Sequence, residues 1–310
     1  MIYRVRMRRQ ISENQMLWAI IAVMIGVDAL WAWSIGIRVS PPNPWIIVIF
    51  CGMACLNLAY VTIRPDRRIA MFAATIAQLI AFSSAATLLT YLTAASRFPL
   101  IDGYLAAADA AIRFDWLSLF MWVHEHPAVD RLLAISYDSA VVQIVILVIL
   151  LPALGRLERL REFVWLFVIT LLITVALAWV MPAEGAFAHY RVSHLTNAYY
   201  LHDFNVLRAG GMPEIAMARV TGIVQFPSFH AAMALMLIYA YRGISYLFPI
   251  SILLNLVMIA SSLTTGGHHL TDVLAGLAVV PLAIFILRSW QREPSERLVV
   301  AVDSIGPTRD

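Results

Sequence analysis

The chain has 310 residues, 61% of them hydrophobic, and a formal net charge of +3. Soluble domains are about 45–50% apolar, so this composition excludes a soluble globular fold and indicates a multi-span membrane protein. The sequence contains no lysine. Its arginines cluster in short segments between apolar runs, which ties them to membrane topology rather than to nucleic acid.

Residues 1–15 form a basic tail carrying Arg4, Arg6, Arg8 and Arg9. No short apolar segment with a small-residue cleavage site follows, so no cleaved signal peptide is expected. Met16 to Ile37 and Trp45 to Ile63 read as the first two spans, parted by Pro41, Pro42 and Pro44. Each approaches the roughly 20 apolar residues that a bilayer crossing needs. Cys51 and Cys55, one turn apart in the second span, read as small packing residues; they build neither a disulfide framework nor a metal ligand set. Ala70 to Ala95 is the third span. Residues 96–131 do not cross. There Asp102, Asp109, Arg113 and Asp115 mix with apolar residues at helical spacing, which predicts interfacial helices with Trp116 and Trp122 at the headgroup level.

Leu132 to Leu151 and Phe163 to Val180 are spans four and five, joined by a loop holding Arg156, Arg159 and Arg161. Residues 182–226 are too polar to cross. The last spans are Ser228 to Tyr241, Leu247 to Leu263 and His268 to Leu287, and the polar tail is expected to be disordered at its end. The expected fold is all-α, with about eight transmembrane helices: two N-terminal helices over 16–63 and a six-helix catalytic core over 64–288. Cytoplasmic tails cover 1–15 and 289–310. Placing the N-terminus in the cytoplasm leaves the short inside loops rich in arginine, as the positive-inside rule requires. That count puts all eight histidines outside, which in a bacterial inner membrane is the periplasmic side. Polar residues gathered at one membrane face, with no internal repeat, argue against a transporter.

The segment from Thr264 to Val273 carries the first candidate site. Gly266 and Gly267 free the backbone to bend and to aim N–H groups at a ligand. The spacing predicts that His268 lies in the first turn of a helix, with Asp272 one turn on and on the same face. A carboxylate there fixes the imidazole tautomer and leaves the other nitrogen free. The second candidate is Pro227-Ser228-Phe229-His230, another helix start with Ser228 at the cap and His230 in the first turn. Either alone reads as a helix cap. Two histidine-bearing helix starts on one membrane side point to anion chemistry.

These two blocks resemble the type 2 phosphatidic acid phosphatase superfamily of membrane lipid phosphatases and phosphotransferases, over roughly residues 70–288. Pro227-Ser228-Phe229-His230 matches the family's Pro-Ser-Gly-His motif with Phe229 in place of glycine. Ser261-Ser262, then His268 and Asp272, match its Ser-Arg-x5-His-x3-Asp motif with Ser262 in place of arginine. The spelling Gly-Gly-His-His-Leu-Thr-Asp-Val is similar to the branch holding inositol phosphorylceramide synthase and sphingomyelin synthase. The resemblance implies that His268 is the nucleophile, Asp272 its orienting acid and His230 the general acid, in a metal-independent reaction through a phosphohistidine. It also implies a lipid phosphate substrate, no cofactor, and either water or an alcohol as acceptor; a catalytically silent lipid-binding homologue is the remaining reading.

The family's first motif, a lysine followed by Arg-Pro, is absent. Replacement cations are therefore expected in the outer loop before Pro227. Arg208 is the first candidate for a bidentate phosphate contact, with Arg191 and Arg219 behind it, beside Ser228 and the Gly266 and Gly267 amides. His189, His194 and His202 fit no compact metal ligand set. His269 points about 100° away from His268 and suits packing or hydrogen bonding. Asp138 is placed to orient a site residue, and Asp28, inside a span, is expected to be paired across helices or to mark an interface.

Overall fold

The computed structural model describes the backbone of residues 2–303 and the side chains of residues 13–291. The chain runs α1 (Ile2–Ser34), β1 (Arg38–Ser40), α2 (Pro44–Thr62), α3 (Arg67–Ala94), α4 (Asp102–Ala111), α5 (Trp116–His124) and α6 (Pro127–Ala153). It continues through α7 (Leu157–Val180), α8 (Ala186–His189), α9 (Tyr200–Ala209), β2 (Glu214–Ala216), α10 (Phe229–Tyr241), α11 (Leu247–Thr264) and α12 (Leu270–Asp303). This is an all-α membrane fold. Seven helices among the described residues are long and apolar enough to cross a bilayer: α1, α2, α3, α6, α7, α11 and α12.

Helix starts follow local chemistry. Asn43 accepts from the Trp45 N–H at 3.0 Å with Pro44 at the first helical position, and Asp66 accepts from the Arg68 and Ile69 N–H groups at 2.8 and 3.2 Å. These side chains satisfy donors that a helix start leaves unpaired. The expected sixth span is α10, whose 13 residues cover about 20 Å against a hydrocarbon core of about 30 Å. It begins deep in the protein, at the fully buried Ser228. Helices α1 and α12 run past the expected span limits, to Ile2 and Asp303. The expected disorder at the very end falls on residues 304–310, outside the described residues.

Helix α3 is the hub. It packs against α1, α2, α6 and α7, and carries the buried residues Ala73, Ala77, Phe82 and Ala86. The core continues through Leu147, Leu160, Phe163, Met236 and Met258. Helix α2 buries none of its residues, so it is a peripheral helix leaning on α3. Cys51 and Cys55 are exposed on it, facing away from the packed core they were expected to fill.

At one end of the bundle lie Arg156, Arg159 and Arg242, where Arg159 donates to the Arg242 carbonyl and Arg242 pairs with Glu162. At the other end, α4, α5, α8 and α9 form a layer over the bundle mouth, and β1 pairs in parallel with β2, Val39 opposite Ile215. The interfacial reading of 96–131 holds only in part. Trp122 is 50% exposed, but Trp116 is fully buried, and α4 turns Asp102, Leu105 and Asp109 inward. The polar stripe of α4 therefore faces the protein interior, not the headgroups.

Candidate active site

The first motif forms a loop, not a helical turn. Helix α12 begins at Leu270, so His268 precedes it by two residues. Gly267 takes φ +69°, and a Cβ there would overlap the Phe187 ring. The Ala186 N–H donates to the Gly267 carbonyl at 2.7 Å, and the Trp116 indole N–H to the His268 carbonyl at 2.9 Å. The glycines thus serve close packing. The Gly266 N–H is already given to the Ser261 carbonyl at 3.2 Å, so it is not the free phosphate donor expected from sequence.

Nor is the helix start open to an external anion. Asp109 accepts from the Leu270 and Thr271 N–H groups, both at 2.9 Å, and from the Thr271 hydroxyl at 2.6 Å. Asp272, in the first turn, reaches back to the His269 N–H at 2.9 Å, the carboxylate half of a capping box. Two carboxylates of the chain itself therefore occupy the anion-binding positions of this terminus. Asp102 performs the same task for the neighbouring loop, accepting from Glu184 and Gly185 N–H at 3.0 and 2.8 Å. His269 is fully buried between the two, 3.7 Å from Asp102 and 3.7 Å from Asp109. That placement fits the packing role expected of it.

His268 is buried, and its Nδ1 lies 2.7 Å from the Gln225 carbonyl oxygen. A carbonyl only accepts, so Nδ1 carries the proton and Nε2 keeps its lone pair. Asp272 Oδ2 stands 3.6 Å from the same Nδ1. The expected Asp–His hydrogen bond is thus replaced by a backbone carbonyl, with the carboxylate as a close charge. Burial pushes the His268 imidazole down to about 4, so the ring is neutral at pH 7.

The second motif docks onto the first. The Ser228 N–H donates to the Asp272 carbonyl at 3.0 Å, and its Oγ caps α10 by accepting from the Ala231 N–H. Gly276 of α12 lies so close beneath Ser228 that a Cβ there would overlap the Ser228 carbonyl. His230 then stacks on Tyr137 of α6, ring centroids 3.7 Å apart. Both histidines line one cavity of about 250 Å³, enclosed by α3, α6, α7, α10 and the covering loops.

Among the described residues no arginine lines that cavity. Arg208 donates to the Phe98 carbonyl at 2.8 Å and packs over Phe204, while Arg191 and Arg219 are exposed on the covering layer. Their loop folds over α3 and α4 instead of dipping into the bundle. Ser228 and Gly267 do not line the cavity either, and of the expected phosphate-binding set only Gly266 does. Asp138 is exposed, one position round the helix from Tyr137. Besides the two histidines the polar lining is neutral, made of amides and hydroxyls that include Tyr137, Asn197, Tyr199, Tyr200, Gln225 and Thr265. The Thr265 hydroxyl has no hydrogen-bond partner among the described residues, whereas the Tyr200 hydroxyl donates to the Glu184 carbonyl at 3.0 Å.

The residues missed from sequence left only faint traces. Asp102 and Asp109 stand seven apart, two turns along one helix face, and Tyr199-Tyr200 interrupts a polar segment.

Neither the curated proteins nor the solved structures searched gave a match to this chain. The family model described as the PAP2 superfamily matches residues 103–286. That span covers more than half of the chain and holds both histidine motifs and the inward Asp109 of α4: the chain belongs to the PAP2 superfamily.

Proposed function

We propose that the protein is a lipid phosphate phosphatase that works through a phosphohistidine on His268. The observation that carries this reading is the single cavity lined by both motif histidines, one of them held as a neutral Nδ1–H tautomer. The His268 Nε2 lone pair attacks phosphorus, an N–P bond forms, and the bond from phosphorus to the lipid oxygen breaks. His230, held as imidazolium by the negative charge of the bound phosphate, gives its proton to the departing lipid alkoxide and becomes neutral. It then takes a proton from water, whose oxygen displaces the imidazole and releases inorganic phosphate. As positive charge develops on His268, the Asp272 carboxylate 3.6 Å away stabilises it. Thr265, Asn197 and Tyr199 supply neutral donors for the phosphoryl oxygens, in place of Arg208 and Arg191.

An alcohol entering instead of water would make the same intermediate a phosphotransferase. The hydroxyl- and amide-bearing lining offers partners for such an acceptor. The deciding experiment gives purified protein a panel of labelled lipid phosphates, with and without alcohols. Free phosphate in every case supports the phosphatase; alcohol-dependent phosphodiester with little free phosphate assigns the transferase. No turnover of any lipid phosphate would contradict the enzyme reading. The arginine-bearing end, with Arg156, Arg159 and Arg242, is read as cytoplasmic by the positive-inside rule, which turns the cavity toward the outer leaflet.

The roles of Asp272 and the Gln225 carbonyl separate in one variant. Losing the orienting acid of a histidine typically costs about 10⁴-fold when the tautomer is lost with it. Here the Gln225 carbonyl keeps the tautomer, so Asp272→Asn should reduce kcat by about 10²-fold, the scale of one lost electrostatic partner. A loss near 10⁴-fold would show that Asp272, not Gln225, holds the Nδ1 proton.

A further inference from the structure

A second cavity, of about 590 Å³, lies outside the catalytic one, between α1, α2 and α3 and beneath the β1–β2 ribbon. Its size falls within the 300–1,000 Å³ of typical ligand sites. Its walls are almost wholly apolar, with Ile25, Ile47, Phe50 and Leu88 among them, and only Asp28, Ser40 and Ser84 bear polar side chains. Asp28 is 1% exposed, and neither carboxylate oxygen has a hydrogen-bond partner among the described residues. Of the two readings the sequence offers for Asp28, pairing across helices is not seen among the described residues.

An ionisable group inside a span is costly and is normally paired. Among the described residues no arginine or histidine lines this groove, so none of them supplies a counter-ion. Asp28 lies six residues before the end of α1 at Ser34, about 9 Å along the helix. That depth suits a polar head at the hydrocarbon boundary with its chain extending into the groove. Helix α2, with no buried residue, forms an outer wall that leaves the groove reachable from the bilayer.

We propose that this groove binds an amphiphile with a cationic amine head, whose ammonium pairs with Asp28 while its alkyl chain fills the space between α1, α2 and α3. Charge complementarity selects the amine, and the apolar lining selects the chain. The site is separate from the catalytic cavity but shares a wall with it. Ile80, Ala81, Ser84 and Leu88 of α3 face the groove, whereas Ser83 and Thr87 of the same helix face the catalytic cavity.

The test uses the full chain in lipid nanodiscs with a photoreactive long-chain alkylamine, and with the alcohol and the sulfate of equal length. Crosslinked peptides are mapped by mass spectrometry. The expected result is saturable amine labelling of the α2 segment around Ile47 and Phe50 and of the α3 segment around Ser84. Asp28→Asn keeps the side-chain shape and should weaken that labelling at least tenfold. Ser84→Phe, which fills the groove and leaves Asp28 in place, should abolish it and covers the case in which Asp28→Asn fails to fold. Equal amine labelling of wild type and Asp28→Asn would overturn the proposal. So would labelling by the alcohol as strong as by the amine, which would assign the groove to a neutral lipid, or labelling confined to other segments.

Discussion

Replacing His268 with alanine should reduce lipid phosphate turnover by on the order of 10⁶-fold, the scale seen when the nucleophile of a coupled catalytic set is removed. The fold should survive, because the loop is held by groups other than the imidazole. Trp116 grips the His268 carbonyl, and Ala186 donates to the Gly267 carbonyl. His230→Ala should differ in kind. Its loss removes proton delivery, worth about 10²–10⁴-fold; the deficit in kcat/KM, which reports phosphoenzyme formation, should shrink for substrates with good leaving groups, which depart without a proton, while kcat stays low because water lacks its base. The His268 deficit should be the same for all leaving groups. Turnover of His268→Ala within tenfold of wild type would remove His268 as nucleophile.

The second large effect is expected from a residue that touches no substrate. Gly276→Ala places a methyl group where the Ser228 carbonyl already lies. Both neighbours are helix backbone, so neither yields by rotating a side chain. The α10 start must move away from α12, which breaks the Ser228 N–H bond to the Asp272 carbonyl and shifts His230 relative to His268. A displacement of about 1 Å at a catalytic group costs on the order of 10²-fold in rate, and overpacking costs typically 1–3 kcal/mol of stability. Gly276→Ala should therefore show both a lowered unfolding temperature and a kcat loss of at least about 10²-fold in the fraction that folds. Gly103, where a Cβ meets nothing within 4 Å, is the control: Gly103→Ala should leave both unchanged. Wild-type kcat in Gly276→Ala would mean that the two motif helices are not locked together at this contact.

These contacts mark the boundary of what the sequence makes legible. Apolar runs near bilayer length declare the long spans, and His230, His268 and Asp272 stand in short local patterns that mark them as candidates. Their partners have no such mark. The proton on His268 Nδ1 is fixed by the Gln225 carbonyl, a backbone group 43 residues away that every residue type would offer. Asp109 caps α12 from 161 residues away, and its own helix reads as a surface amphipath. Flanking glycines made Arg208 look suited to a phosphate, yet the path of its loop is set by α9 packing Phe204 and Leu207 into the covering layer. A positive charge in a loop reports its membrane side well and its target poorly.

The central claim is most directly tested by trapping the intermediate. In the proposed mechanism His230 is the base that activates water, so in His230→Ala, given a ³²P-labelled substrate bearing a good leaving group, the phosphoenzyme should accumulate. After rapid quenching and proteolysis, the label should lie on the peptide containing Gly266-Gly267-His268-His269, stable in alkali and labile in acid, and should vanish in a His268→Ala, His230→Ala double variant. Label on a serine, threonine or carboxylate, or on a different histidine, would contradict the account.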